Sequence, residues 1–512
     1  MTVEGAGSGT PGTPSKRRSL KSTAKVAASL ASTGSHGGLK KKLMKKKKSA
    51  EERKKQAELE AEEEEARRAE AAAQAQRDGE AAEIEAKLAS LDAKLRAEEE
   101  ARGFVTPSVS AGNLHTMAVT GGGKCYVWGV GDDGRLGTMS KGRCLRPMVL
   151  EKPFLQERER IKSVSAGAHH SLVVTEKGNL YSFGLGDHGR LGQGDTDSCS
   201  VPRRVEEGLT SMGEVVIGAS AGTMHSAACC ESGRVFSWGL GGDKDGRLGH
   251  DEAVNFASGA VARPHPVSLP LELFQAGDGI VEVSCGGWHT ACRSREGRVY
   301  AWGRGTDGAV GHGEYVNKRI PKQVDALKEF KVTSLSCGSY HTVCCTDEGH
   351  VYVWGKGANG ALGMGPQVEM THTPQRILGA LKHEHVIQVS AGQLHTVALT
   401  KSGQLFTWGR GAGGRLGHKG GATDLWAPKA VEPLQWEKVV HCDAGVGHTA
   451  VITATNACYV FGEGGGGRLG NGMQSPALLP IKIEDLDMGP DNKLFDDDDG
   501  DDDGDDDGST GE

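Results

Sequence analysis

"AGQLHTVALTKSGQLFTWGRGAGGRLGHKGGATDLWAPKAV", residues 391–431, is one unit of the pattern that decides this fold. The runs His395 to Thr400 and Gln404 to Trp408 flank the turn "KSG", and their β-branched and aromatic content suits a pleated sheet. A Gly-rich loop ending in "GRLG" follows, then a strand introduced by Pro428. Proline is tolerated at the start of a strand, where no ladder donor is lost. With the alternating run ahead of Ala391, the unit holds four short strands. No helical period interrupts residues 103–487.

Aligned on its Ala/Cys-Gly, the unit recurs seven times: "AGNLHTMAVT", "AGAHHSLVVT", "AGTMHSAACC", "CGGWHTACRS", "CGSYHTVCCT", "AGQLHTVALT" and "AGVGHTAVIT". Its histidines are His115, His170, His225, His289, His341, His395 and His448, spaced by 52 to 64 residues. An aromatic follows each by 13 residues: Trp128, Phe183, Trp238, Trp302, Trp354, Trp408 and Phe461. Constant spacing inside the unit and variable gaps between units describe a rigid hairpin joined to elastic loops.

A sheet of about 50 residues cannot bury both of its faces alone, so repeated sheets must stack, and a radial stack closes into a propeller. The fold class is therefore all-β, a seven-bladed β-propeller over residues 103–487, preceded by a charged helix and flanked by disordered tails. An extra Pro-led run at Pro480 to Leu486, "PIKIEDL", predicts a clasp in which the last segment completes the blade begun at Val109.

The order Ala/Cys-Gly-x-x-His-Thr/Ser, aromatic-Gly, Gly-x-Leu-Gly, Pro resembles the regulator of chromosome condensation family of seven-bladed propellers, across residues 105–487. The founding member is a nuclear exchange factor for the Ran GTPase that also docks on nucleosomes, partly through a β-hairpin wedge. The resemblance thus implies protein partners, with a Ran-type GTPase and histones or chromatin among the candidates. The long insertion is in the third unit, where Asp251, Glu252 and Asn255 are candidates for such a projection, although it does not match the family's wedge residue by residue. A light-sensing branch repeats Gly-Trp-Arg-His-Thr; this chain has Trp288 alone in that place and no arginine after it, which disfavours light sensing.

The "GRLG" glycines permit positive φ, and the leucine can anchor the loop. Ala309 and Ala361 replace the arginine in two units, so Arg135, Arg190, Arg247, Arg415 and Arg468 are not required by the turn. They are candidate partner-binding residues, a broken basic ring on one face. The competing expectation is local pairing with Asp133, Asp187 and Asp245, where exposed pairs contribute about 0–1 kcal/mol. The histidines are expected to hydrogen-bond within their blades, and the aromatic series to pack the core. No nucleophile elbow, His-Glu-x-x-His or paired-cysteine zinc signature occurs, and the Gly-x-Gly-x-x-Gly strings precede Pro-led strands rather than helices, so no cofactor, metal or catalytic residue is assigned.

Charge divides the chain. Residues 1–48 carry +11 (12 basic, 1 acidic), residues 49–102 carry −7 (10 basic, 17 acidic) and residues 484–512 carry −14 (1 basic, 15 acidic), leaving +3 for 103–483. Blocks of like charge lack the apolar area to offset chain entropy, so a basic arm (1–48) and an acidic tail (488–512) are expected to be disordered. Lys16, Arg17, Arg18, Lys40, Lys41, Lys42, Lys45, Lys46, Lys47 and Lys48 fit an import signal or a polyanion-binding arm, which points to a nuclear or nucleocytoplasmic protein, with a cytoplasmic one as the alternative. Ser49 and Glu52 have capping-box spacing for a charged helix over 49–102, and Ile84, Leu88, Leu91 and Leu95 form a short seam on it. No apolar run is long enough to span a bilayer, no Cys-x-x-Cys pair occurs among the twelve cysteines, and the expected state is a monomer with reduced thiols. A non-enzymatic adaptor is the favoured function, with exchange on a Ran-type GTPase as the alternative.

Overall fold

The computed structural model describes Lys87 and residues 105–139, 141–241, 245–250 and 259–490. The chain divides into two units, 1–95 and 96–512, and of the first only the helical Lys87 is described. The basic arm, the rest of the charged helix, the acidic segment 491–512, and Asp251, Glu252 and Asn255 lie outside the described residues.

The second unit holds seven four-stranded antiparallel sheets. In the first, β1 (Ser108–Ala111), β2 (His115–Val119), β3 (Cys125–Val130) and β4 (Arg143–Val149) follow one another in space as in sequence. The other six blades repeat this meander and start at Ile161, Val216, Ile280, Val332, Val386 and Val439. The second and third strands, such as His395–Thr400 and Leu405–Gly409, are buried throughout because a blade lies against each face. That explains their unbroken apolar runs. The core lies between blades: Val343 and Val353 of the fifth pack with Ala398, Phe406 and Trp408 of the sixth.

The expected clasp is not the way the ring closes. Ala477–Asp487 pairs with Ala457–Gly462 of its own unit, and the first blade has its own outer strand, β4. That strand reads "RPMVL", with Leu150 buried in the place that Val205, Val324, Ile377 and Val431 take in other blades. Every unit therefore supplies four strands, and none is left to share.

Closure comes instead from side chains repeated around the axis. Ser110, Ser165, Ser220, Ser284, Ser336 and Ser390 each accept the amide of the residue that precedes the Ala/Cys-Gly glycine in the next blade, at 2.9–3.0 Å. The seventh blade has Asp443 in place of serine. Its Oδ2 accepts the Ala111 amide (2.8 Å) and the Ser110 hydroxyl (3.2 Å), while Oδ1 accepts the Ser390 hydroxyl (2.6 Å). This carboxylate bridges the sixth, seventh and first blades.

Candidate functional site

The loops after the first and third strands of each blade share one face, which carries the "GRLG" turns. Their final glycines have positive φ and sit under the next blade's aromatic: a Cβ on Gly249 (φ +72°) would come within 2.7 Å of Trp302 Nε1. The adjoining backbone carbonyl is also shared between blades. The carbonyl of Arg247 accepts Thr290 Oγ1 (2.8 Å) and Trp302 Nε1 (3.0 Å), and that of Ala309 accepts Thr342 Oγ1 (2.8 Å) and Trp354 Nε1 (2.7 Å). Alanine can replace arginine here because it is the main chain that makes these bonds.

The same hydroxyls meet the repeated histidines, and these contacts run between blades rather than within one. His225 Nε2 lies 2.9 Å from Thr290 Oγ1, and His289 Nε2 2.8 Å from Thr342 Oγ1. Since each hydroxyl donates to the loop carbonyl, Nε2 carries the proton and donates to the hydroxyl oxygen. Burial pushes His170, His289 and His448 down to about 3 and His341 to about 4, so these rings are neutral. The twelve cysteines are free; burial raises Cys229 and Cys337 to about 12 and Cys345 to about 11, which makes them inert packing groups.

The five loop arginines are not an exposed ring. Arg135, Arg190, Arg247, Arg415 and Arg468 are only 2–6% exposed. Each directs Nη1 at a main-chain carbonyl of the next blade: Ala168 (2.9 Å), Thr223 (3.1 Å), Gly287 (3.4 Å), Val446 (2.7 Å) and Asn113 (2.9 Å). The expected local acids are used in part. Asp133 pairs with Arg135 and Asp245 with Arg247, whereas Arg190 Nε donates to the main-chain carbonyl of Asp187. Glu463 takes both Arg415 (2.5 Å) and Arg468 (3.5 Å). Burial opposes ionisation of Asp133, but hydrogen bonds from His169 and Arg135 outweigh it and hold its pKa below the usual carboxylate value. The turn alone gave no sign of this role, because the partner carbonyl lies some 30 residues or more along the chain.

What this face shows to solvent comes from the residue after each aromatic-Gly, whose amide pairs with the carbonyl before the histidine. Around the ring these are Val130, which is buried, half-buried Leu185 and Leu240, then Arg304, Lys356 and Arg410, then Glu463. Lys356 and Arg410 are exposed, and exposed Asp132 and Asp187 stand in the loops of the first two blades. Charge is thus divided across the face, basic on blades four to six, with Arg304 of the fourth held by Asp307 at 3.1 Å. Trp288 stands half-buried in the basic sector, with the guanidinium carbons of Arg247 and Arg304 at 4.5 and 5.3 Å from its ring centre. Tyr340 takes the same place in the next blade.

Residues 73–398 and 146–495 match the RCC1-like domain family. The chain belongs to this family. The ultraviolet-B receptor UVR8 of Arabidopsis thaliana is 31% identical over 381 residues, covering 74% of this chain and 81% of that protein. The human E3 ubiquitin-protein ligase HERC2 is 33% identical over 371 residues, 71% of this chain, yet the match spans 7% of its length. The human regulator of chromosome condensation is 29% identical over 390 residues, 72% of this chain and 87% of that one. Among solved structures, Prp20p of Saccharomyces cerevisiae, described with its binding to Gsp1p and histones, superposes at a TM-score of 0.61 with 22% identity, over 74% of this chain and 87% of that one. That likeness establishes the RCC1-like propeller fold. Among the described residues, no helix is long and apolar enough to cross a membrane.

Proposed function

We propose that this RCC1-like propeller is a non-enzymatic scaffold that binds protein partners through its loop face, the charged segments adding nuclear targeting and contact with chromatin. The observation that carries this reading is the division of charge on that face. The repeated histidines, hydroxyls and arginines are consumed in holding blades together, Arg304 is paired with Asp307 at 3.1 Å, and the groups left for a partner are Trp288, Lys356 and Arg410 beside an acidic sector. A sector of exposed basic side chains beside a half-buried aromatic suits an acidic protein surface, because complementary potentials steer encounter and fix orientation. The buried arginines serve it by stiffening the loops. Lys16 to Arg18 and Lys40 to Lys48 would supply import and polyanion contact.

The test compares proteins captured from nuclear extract by the wild-type chain and by Lys356→Glu/Arg410→Glu, two exposed changes that leave the fold intact. Loss of the captured set at physiological salt is expected; an unchanged set rejects this face. Exchange on a Ran-type GTPase is the second reading, favoured by the long insertion of the third unit, whose sequence carries Asp251, Glu252 and Asn255. The scaffold reading predicts no faster release of a fluorescent GDP analogue with residues 103–490. Acceleration by orders of magnitude, lost on deleting 251–262, would replace it with exchange.

A further inference from the structure

The two ends of the described propeller are held at one turn on the face opposite the "GRLG" loops. Val105 donates its amide to the Gly121 carbonyl (2.9 Å), Gly121 donates to Met488 (3.0 Å), and Met488 donates to Asn456 (3.2 Å). From there the turns of the seventh and sixth blades connect directly: Ala454 donates to the Lys438 carbonyl (2.7 Å) and Val439 to that of Gly403 (3.0 Å). The acidic segment that begins at residue 491 therefore emerges a few residues from Lys438.

Next to that root is a patch with an unusual composition. Trp436 is 90% exposed, and Ile387 and Val440, the second residues of two adjacent innermost strands, are 43% and 44% exposed. Lys382, Lys401 and Lys438 are exposed around them. Of the acids nearby, Glu437 already accepts the Tyr459 hydroxyl at 2.9 Å. Segment 491–512 has the complementary sequence: Leu494 and Phe495, then a run of aspartates, with 12 acids and one lysine for a net −11. Phe495 stands five residues beyond Pro490, a reach of up to about 17 Å at roughly 3.4 Å per residue, and Trp436 is two residues from Lys438, whose carbonyl holds the seventh blade's turn.

We propose that segment 491–512 folds back onto this patch, Phe495 against Trp436 and the aspartates against the lysines. Tethering puts the segment at an effective concentration of about millimolar, so weak contacts suffice. Most of the attraction is between exposed charges, each pair contributing about 0–1 kcal/mol, and salt screens it.

The experiment is acrylamide quenching of tryptophan fluorescence in the full chain, in a chain ending at Pro490, and in one with the eleven aspartates of 491–512 changed to asparagine. Neither change alters a described residue. Trp128, Trp238, Trp302, Trp354 and Trp408 are fully buried and form a constant background. At low salt both variants should gain quenchable emission equal to about one tryptophan of the eight, and 0.5 M (about) salt should give the full chain the same gain. In the Trp436→Phe background the gain should vanish. Equal quenching in the full and shortened chains, or a gain that survives Trp436→Phe, overturns the proposal.

Discussion

At the scale of single residues, the repeated motif is a set of bonds between blades, and its members differ in how many groups they leave stranded. Trp302→Phe removes the indole donor to the Arg247 carbonyl, which keeps Thr290 Oγ1, and Phe183 and Phe461 already occupy that position in two blades. The expected loss is about 0.5–1.5 kcal/mol, the net worth of one hydrogen bond. Thr290→Val strands His225 Nε2 as well as weakening the carbonyl's pairing, so it should cost about 1–3 kcal/mol or more. Denaturant midpoints of the two variants, compared at equal slopes, check this order; a costlier Trp302→Phe would refute it. The repeat, the aromatic core and the glycine-dependent turn were legible in the sequence, because each depends on local periodicity or local backbone conformation. The direction of the arginines was not. An arginine beside an aspartate looks like a surface pair until the next blade's carbonyl is placed against it, and that contact is set by how blades stack.

At the scale of the strand, the one unit that departs from the serine ring shows how the circle is sealed. The other inner strands carry serine two residues before the Ala/Cys-Gly glycine, and the last carries Asp443, which takes the Ala111 amide across the seam between the seventh and first blades. Asp443→Ser restores the pattern of the other blades and keeps an acceptor for that amide, so stability should change little. Asp443→Ala leaves the amide without its acceptor, at about 1–3 kcal/mol. Hydrogen exchange should then quicken first at β1, whose amides lie on the seam. If the two variants are equally stable, the seam bond is dispensable. The expected strand-sharing clasp failed at this same scale. "RPMVL" has leucine where other units have valine or isoleucine, and it is the sheet register, not the local pattern, that makes this run the fourth strand of the first blade.

At the scale of the whole ring, seven buried neutral histidines make the propeller sensitive to acid. Burial lowers all seven below the ordinary value of 6.5, to about 3 for His170, His289 and His448 and about 4 for His341. In the unfolded chain they titrate near 6.5, so between roughly pH 6.5 and pH 4 the unfolded state binds more protons than the folded one, and stability falls as pH falls. For His170, His289, His341 and His448 the linkage should cost about 2 kcal/mol each by pH 5, and His115, His225 and His395 add to it in the same direction, which is a large share of the roughly 5–15 kcal/mol stability of a typical domain. Because every histidine bridges two blades, protonating one weakens two neighbours, and the ring should open as a unit near pH 5, before most carboxylates are protonated. Circular dichroism against pH should show a steep transition with uptake of several protons. His289→Asn should lower the proton uptake by about one while lowering stability at neutral pH. A shallow transition confined to pH 3–4 would mean that the rings accept protons without unfolding, and that the bonds between blades do not depend on neutral imidazole.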